Sequence, residues 1–536
     1  MNVWDVCKWC AVSALVALGS SFGLNKATSA QPAPADAEQG VQVLTRGPVH
    51  EAFAETVTFD PEPGIVAPKA PPAAIEELPP DQKPEGANVA WVPGYWAWDD
   101  ERSDFLWVSG IWRALPPGRQ WVPGYWGKSE QGFQWTSGYW ADAQATTIAY
   151  LPEPPATVEA GPNIAAPSVD QNWLPGCWVW RQNRYAWRPG FWATVQPDWV
   201  WVPAHYVCAP RGYVFVDGYW DYSVDRRGVL FAPVYFDAGV YARRGFSYSP
   251  TTVIDLGVFT NHLFLRPQYQ HYYFGDYYAA NYQTAGFQPS YAYNSGRYGY
   301  DPIYAHERWQ HRQDNQWERR VAADFQNRRD HENARPPRTW AAQRALGASG
   351  ARSIDRSLVV ATPLDQLTKS TGTRLRFQPV DTLERQKLAQ QAREVQRLRE
   401  ERHKLETQTT PRVRLPRSPI VAKPVTELGK DHAPPQAYPA PKPDSKVEPR
   451  PRPIRPGPAI PPPVDQPKPQ PQPKVKQPAP QPQPQPQPKV KQPAPQPQPQ
   501  PKVKQPVPQP QPQPKVDRPT GPPPAKPKED KHKGKE

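Results

Sequence analysis

The chain has 536 residues, of which 76 are proline and 22 are tryptophan, and its formal net charge is +13 at pH 7. The positive charge belongs to one end. Residues 411–536 hold 24 Lys and Arg against 9 Asp and Glu, a net +15, so about −2 is left for the rest. The other residues are therefore not basic. Because no nucleic-acid-binding pattern occurs either, nucleic acid is not an expected partner.

The amino terminus predicts export. Residues 1–30 contain a short start with Lys8, an apolar stretch at 10–19 and a small-residue exit ending at Ala30, which is typical of a cleavable signal peptide. An uncleaved anchor is the alternative. No later stretch is apolar enough to span a bilayer. We therefore expect a protein of the periplasm or cell envelope, or a secreted one. The Pro/Ala-rich residues 31–75 are predicted to be a disordered leader.

A hexapeptide W-x-x-G-x-W dominates the next segment, and within each block its copies begin 14 residues apart, except that the copy at Trp107 begins 16 residues after the copy at Trp91. A fixed period of this kind indicates a repeat architecture. We divide it into block 1 (residues 76–150) and block 2 (residues 151–236). Six full copies begin at Trp91, Trp107, Trp121, Trp135, Trp173 and Trp187, and two altered copies begin at Trp201 and Phe215.

Each copy is predicted to be a strand, because dense Trp and Tyr favour a pleated, half-buried surface. Short turn-forming runs separate the copies, so neighbouring strands should pair antiparallel. A bulge at Gly94 would bring Trp91 and Trp96 to one face. The predicted fold class is mainly β, an antiparallel aromatic-rich β-repeat meander followed by helical segments and a long disordered Pro-rich tail.

The motif tryptophans allow two interpretations. Aromatic side chains repeated at strand spacing are usually the core of a repeat fold, whereas a flat array of exposed rings would form a glycan-binding platform. The first interpretation is favoured by their number and spacing. The residues concerned are Trp91, Trp96, Trp107, Trp112, Trp121, Trp126, Trp135, Trp140, Trp173, Trp178, Trp187, Trp192, Trp201 and Trp220.

The motif resembles the YXWGXW (WXXGXW) repeat family, which is found in secreted and envelope proteins of bacteria. The resemblance covers residues 91–220, and a Pro-rich run at residues 76–86 looks like the lead-in to the first repeat. The whole chain is similar to longer, planctomycete-type members that also carry a Tyr-rich segment and a Pro-rich tail. The resemblance implies no catalytic residues.

Without the signal segment, two cysteines remain, Cys177 and Cys208. Oxidising compartments favour a disulfide. In a plain meander, however, the two residues lie two strands apart, roughly 10 Å, and a disulfide needs Cα atoms within about 7 Å. A disulfide and two free thiols both stay open, and non-reducing peptide mapping distinguishes them.

Four segments precede the tail. Residues 237–304 are Tyr-rich with short strands, residues 305–340 are helical, and residues 341–379 form a linker. Residues 380–408 form a helix that begins at an Asp381 capping signature. Its heptad pattern is interrupted at Gln391 and Arg402, so a single solvated helix and a short coiled coil both stay open.

Residues 409–536 are predicted to be a disordered, basic Pro/Gln/Lys-rich tail, because they lack the apolar area needed to fold. The tail is either a solvated spacer or a charge-driven tether to an anionic cell-wall or envelope polymer.

No catalytic, metal-binding or cofactor-binding constellation is found. His306 and His311 flank Glu307 five residues apart, not the four that a zinc-protease helix requires. The leading functional hypothesis is an exported, non-catalytic structural or interaction protein of the bacterial cell envelope. The alternatives are a carbohydrate-binding module that uses exposed Trp and Tyr, and an unrecognised enzyme.

Overall fold

The computed structural model describes residues 40–295, 299–348, 355–407, 412–415 and 417–422. All of these lie within one compact unit, residues 1–448, so both repeat blocks belong to the same body. The predicted signal peptide at residues 1–30 lies outside the described residues. Most of the predicted tail lies outside them as well.

Consecutive motifs pair to form four bent hairpins. We name them hairpin 1 (residues 89–114), hairpin 2 (residues 119–142), hairpin 3 (residues 171–194) and hairpin 4 (residues 199–222). Each motif supplies two strands separated by its Pro-Gly or equivalent step. The strands are Val89–Val92, Tyr95–Asp99, Asp104–Val108 and Ile111–Ala114; Arg119–Val122, Tyr125–Ser129, Gly132–Thr136 and Tyr139–Asp142; Gln171–Leu174, Cys177–Arg181, Arg184–Arg188 and Phe191–Thr194; Trp199–Val202, His205–Ala209, Gly212–Val216 and Tyr219–Tyr222.

The register brings tryptophans of the two motifs directly opposite each other. In hairpin 1, Trp91 pairs with Trp112 and Trp96 pairs with Trp107. The antiparallel aromatic repeat is thus confirmed, with two differences. The ladder is interrupted at Gly94 rather than bulged, and the motifs pair two by two instead of forming one continuous meander.

The predicted disordered leader is ordered from residue 40 onward, which corrects that part of the prediction. Its strands pair with distant parts of the chain: Val41–Val43 with Val234–Phe236, and Val66–Ala67 with hairpin 2. The leader is ordered because it covers aromatic faces that the hairpins cannot bury alone. Its strands are Val41–Val43, Gly47–Pro48, Val57–Thr58 and Val66–Ala67, and the lead-in to hairpin 1 adds Glu76–Glu77 and Gln82–Pro84.

The Tyr-rich segment packs into the same core as a hairpin of Leu263–Arg266 and His271–Phe274. Tyr272 and Tyr293 are fully buried there. The remaining strands of the chain are Thr147–Leu151, Gly228–Val229, Val234–Phe236, Ser247–Tyr248, Thr252–Ile254, Gln288–Pro289, Gly299–Tyr300, Ala361–Pro363, Phe377–Pro379 and Arg412–Arg414.

The helices follow mainly after the repeats, and part of the predicted linker at residues 341–379 is itself folded. Across the described residues, no helix combines the length and apolarity of a transmembrane span. The α-helices are Ala238–Tyr241, Leu256–Phe259, Ala280–Thr284, Ser290–Ser295, Pro302–Gln310, Trp317–Asp330, Trp340–Ala348, Leu364–Lys369 and Thr382–Glu406. We call the last of these the long helix.

The segment that follows the long helix returns to the core. Arg412–Arg414 pair with Thr147–Leu151, and Ala422 N donates to Arg119 O at 2.8 Å. Val413 and Ile420 are buried. The tail boundary predicted at residue 409 therefore falls before two packed segments, and residues 423–536 lie outside the described part.

Candidate functional site

The motif tryptophans meet in inclined pairs across each hairpin. The ring centroids of Trp91 and Trp112 lie 5.2 Å apart at 68°, and those of Trp96 and Trp107 lie 5.2 Å apart at 78°. In the other hairpins the paired Trp rings are inclined by 56° to 72°. Aromatic pairs prefer such geometry within a core. The pairs therefore form a packed ladder and not the coplanar platform considered above.

The motif glycine is needed because the first tryptophan of the facing motif lies against it. A Cβ added at Gly110 would be 2.4 Å from Trp91 Cζ2, and one at Gly138 would be 2.5 Å from Trp121 Cζ2. No side chain fits at such distances. The facing Trp and Gly thus form one packing unit, which recurs at Gly94, Gly124, Gly176, Gly190 and Gly218.

The altered copies of hairpin 4 preserve this packing with a different pair of residues. In hairpin 3, Gly176 faces Trp187, eleven residues later. The equivalent positions in hairpin 4 are Ala204 and Phe215. A methyl group replaces hydrogen where a smaller ring replaces indole, so the two substitutions compensate each other in volume.

A buried glutamate accepts hydrogen bonds at the point where the ladder of hairpin 1 is interrupted. The Glu77 carboxylate accepts hydrogen bonds from Gly94 N at 2.9 Å, Gly110 N at 2.9 Å and Trp107 Nε1 at 3.0 Å. The interrupted ladder leaves the two glycine N–H groups without backbone partners, and a buried donor without an acceptor, whether backbone or indole, is costly. Glu77 thus satisfies the donors that the motif break exposes.

Two further glutamates act in the same way, Glu51 on hairpin 2 and Glu159 on hairpin 3, from the segments that precede these hairpins. Each binds one motif glycine and one motif indole. The donors are Trp135 Nε1 (2.8 Å) and Gly138 N (3.0 Å) for Glu51, and Trp173 Nε1 (3.0 Å) and Gly176 N (2.5 Å) for Glu159.

Burial changes the acidity of these carboxyls. Desolvation raises the pKa of Glu77 to about 7, against the lowering effect of its three N–H donors. Glu55 accepts hydrogen bonds from Trp140 N and Tyr219 OH, and desolvation raises its pKa to about 7 as well. Folding therefore affects the protonation of both groups near neutral pH.

The long helix packs against hairpins 1 and 2 through two arginines. Arg402 is 2% exposed, pairs with Glu406 at 2.8 Å and donates to Pro123 O and Ser137 O at the breaks of hairpin 2. Arg399 donates to Gly94 O at 3.2 and 3.3 Å. The heptad interruption at Arg402 is therefore a buried contact with the repeats, which corrects the solvated-helix interpretation. The coiled-coil alternative is not supported by these contacts.

Burial differs sharply among the predicted site residues. The four motif tryptophans of hairpin 1 and three of hairpin 2 are buried, with Trp126 half-buried. In hairpin 4, Trp220 is buried and Trp201 is half-buried. None in hairpin 3 is buried: Trp173, Trp178, Trp187 and Trp192 all keep part of their surface in solvent.

The segment that leads into hairpin 3 is also exposed. Its apolar side chains Val158, Ile164 and Val169 are 58%, 62% and 61% exposed. At the tip of the hairpin, Arg181 and Arg184 are exposed on either side of a two-residue turn. Hairpin 3 and its lead-in therefore form the aromatic, apolar and basic surface that we take as the candidate site.

The two cysteines lie on different hairpins, and both are free thiols in the structure. Cys177 accepts a hydrogen bond from Arg188 at 3.2 Å, and desolvation raises its pKa despite this arginine. Burial raises the pKa of Cys208 to about 11. Neither thiol is therefore activated as a nucleophile.

Sequence reasoning missed the glutamates and the helix arginines. One signal was available, since Glu77 and Glu159 each lie 14 residues before the first Trp of their hairpin. Two preceding alanines make equivalent contacts, although Ala73 lies four residues before Glu77 and Ala156 lies three before Glu159. Ala73 O accepts from Trp96 Nε1 at 3.0 Å. Ala156 O accepts from Trp178 Nε1 at 3.1 Å. The lead-in is thus part of the repeating unit in hairpins 1 and 3.

Comparison with known families matches the hairpins themselves, without their lead-ins. Residues 86–113, 169–193 and 197–222 match the family model described as WXXGXW repeat (2 copies), and they correspond to hairpins 1, 3 and 4. Hairpin 2 is not among the matched segments, although its Trp register and glycine contacts are the same. No curated protein and no solved structure matches the chain. The chain therefore carries WXXGXW repeats between residues 86 and 222.

Proposed function

We propose that the protein is an exported, non-catalytic structural or interaction protein of the bacterial cell envelope. The observation that carries this proposal is the contrast between the hairpins. Hairpins 1 and 2 are covered by the leader and the long helix, whereas hairpin 3 keeps its aromatic residues partly in solvent. A purely structural scaffold would bury its aromatic faces, so a hairpin that keeps its aromatic residues partly in solvent favours an interaction surface.

The composition of hairpin 3 supports binding to an envelope component. Tryptophan and arginine are enriched where proteins make specific contacts. Trp180 and Tyr185 pack edge to face at 4.8 Å near the tip, next to the exposed Arg181 and Arg184. In this proposal the hairpin supplies the specific contact, and the basic residues 423–536 add charge-driven retention on an anionic polymer.

A glycan-binding module is the second candidate, because the half-buried indoles of hairpin 3 offer apolar surface beside two guanidinium groups. The inclined Trp178 and Trp187 rings, at 71°, are a poor platform for flat stacking. A glycan would instead meet indole edges and the arginines at the tip. Binding to a glycan array distinguishes this candidate from a protein partner.

The test uses the full-length protein with an isolated envelope fraction. Trp178→Ala removes a half-buried indole from hairpin 3, and Trp317→Ala is the matched control, since Trp317 is a half-buried tryptophan outside the repeats. We expect Trp178→Ala to reduce co-sedimentation while its thermal transition stays cooperative, and Trp317→Ala to bind like the wild type. Equal binding of all three proteins would exclude hairpin 3 as the interaction surface.

A further inference from the structure

A cavity of about 250 Å³ lies between the long helix and the faces of hairpins 1 and 2. Exposed Ala74 and Glu400 border it, so it reaches the surface. Gln396, Arg399 and His403 supply polar groups from the helix. Its walls are motif aromatics, namely Tyr95, Trp96, Trp107, Tyr125, Trp126 and Trp135.

Arg399 brings a cation into this cavity, and it forms no ion pair with a carboxylate in the part of the chain that the structure describes. Both of its Nη atoms donate to one acceptor, Gly94 O, and its Nε is buried with no hydrogen-bond partner among the described residues. Its guanidinium lies 5.7 Å from the centre of the Tyr95 ring. Arg402, three residues later, is by contrast paired with Glu406 at 2.8 Å.

Two carboxylates that act on Arg399 are already occupied, and a third, Glu400, lies exposed at the border of the cavity. Glu51 and Glu77 attract Arg399 from a distance, but their oxygens accept the N–H groups of the motif breaks. Desolvation lowers the pKa of Arg399 to about 10 in spite of these two groups. Cations held away from water in proteins are normally paired, so the half-buried guanidinium of Arg399 is suited to an anion that enters the cavity.

We propose that this cavity binds a small carboxylate on a ring-sized body, with the carboxylate on Arg399 and the ring against the motif aromatics. Arginine recognises carboxylates through paired N–H donors, and Trp and Tyr supply apolar contact for a ring. The volume is below the 300 Å³ or so at which pockets for larger ligands begin. The occupant is therefore a single ring, either a uronic-acid sugar or an aromatic acid.

Titration of the full-length protein tests the proposal, with tryptophan fluorescence and calorimetry as readouts. The probes are glucuronate and benzoate, with glucose and benzyl alcohol as their neutral counterparts. We expect saturable binding of at least one carboxylate, and binding of its neutral counterpart weaker by about tenfold or more. Preference for glucuronate identifies a glycan source, and preference for benzoate identifies a non-sugar acid.

Substitutions then assign the carboxylate to its partner. Arg399→Gln should weaken binding by about tenfold or more. The matched control Arg397→Gln, an exposed residue of the same helix, should leave it unchanged. Arg399→Lys keeps the charge but loses the planar fork, so it should bind more weakly even if Arg399→Gln fails to fold. The proposal is overturned if neither carboxylate saturates by about 10 mM, or if a folded Arg399 variant binds like the wild type.

Discussion

At the scale of single residues, the motif is explained by what lies opposite each position. Gly110 is small because the edge of the Trp91 indole occupies the space of a side chain. Glu77 is buried because the interrupted ladder leaves N–H donors that need an acceptor. The burial of this carboxyl makes stability depend on pH.

A glutamate with a folded pKa of about 7, above its ordinary value of 4.5, holds its proton more tightly in the folded state. Between these pH values folding takes up a proton, so the contribution of Glu77 to stability falls as pH rises through this window. Relative to Glu77→Gln, the wild type should lose up to about 1.4 kcal/mol of unfolding free energy per pH unit from about pH 4.5 to 7. Urea unfolding at several pH values measures this difference.

The control for this experiment is Glu76→Gln, because Glu76 is exposed and adjacent in sequence. The pH dependence of the Glu77→Gln difference is read against that of the Glu76→Gln difference over the same range. Buried neutral histidines also make stability depend on pH, for example His205, whose pKa is lowered to about 4. Their contribution cancels in the difference between variants, because every variant contains them. A pH-independent difference for Glu77→Gln would contradict the assignment.

The tryptophan ladder could be predicted from sequence because strand-forming aromatics recur at a fixed spacing. The role of Glu51 could not, because it lies in a Pro/Ala-rich segment without periodicity and acts on Gly138, far along the chain. The glycine was expected to form a bulge. In the structure, glycine is required at this position because a tryptophan side chain of the facing strand lies against it. A single motif does not reveal this contact.

At the scale of elements, the sequence pattern predicted the long helix correctly but did not predict that it packs against the repeats. Asp381 caps the helix as predicted, since its carboxylate accepts from Glu384 N at 2.8 Å. Arg402 breaks the apolar heptad, which favoured a solvated face. In the structure Arg402 is buried because backbone carbonyls of hairpin 2 and the Glu406 carboxylate receive its N–H groups.

Replacing Arg402 should therefore weaken the fold strongly. Arg402→Met would leave Glu406 buried beside Tyr125 and Tyr150 without its cation, at a cost of about 3–5 kcal/mol. Arg397→Met is the matched control, since Arg397 is exposed and pairs with Glu401 at 3.5 Å on the surface of the same helix. It should change stability by less than about 0.5 kcal/mol. Similar urea midpoints for the two variants would show that Arg402 is not a structural contact.

At the scale of the whole molecule, the repeats form the centre of a larger core and do not stand alone. The leader, the Tyr-rich segment, the long helix and the strand at Arg412–Arg414 all pack against them or close to them. This arrangement was not predictable from composition, because the leader and the linker lack periodicity. They are ordered through long-range pairing with aromatic surface.

The net positive charge of the chain lies mainly in residues 423–536, which hold 21 Lys and Arg against 9 Asp and Glu, a net +12. If this segment is a tether, a chain ending at Ala422 should keep the thermal transition and lose salt-sensitive retention on anionic envelope polymer. Screening limits exposed charges to about 8 Å at 0.15 M salt, so full-length retention should fall as salt rises. Equal co-sedimentation of both chains at every salt concentration would identify the segment as a spacer.

A double-mutant cycle at Gly218 and Trp201 tests directly whether a facing Trp and Gly form one packing unit. A Cβ at Gly218 would be 2.5 Å from Trp201 Cζ2, so Gly218→Ala alone should cost about 1–3 kcal/mol. Trp201→Phe together with Gly218→Ala would reproduce the Ala204 and Phe215 combination of the same hairpin.

Unfolding free energies of the four proteins, measured in urea, give the coupling between the two positions. We predict that Trp201→Phe relieves the cost of Gly218→Ala, with a favourable coupling of at least about 1 kcal/mol. Additive effects, equal to within about 0.5 kcal/mol, would contradict the packing unit on which this account of the repeat depends.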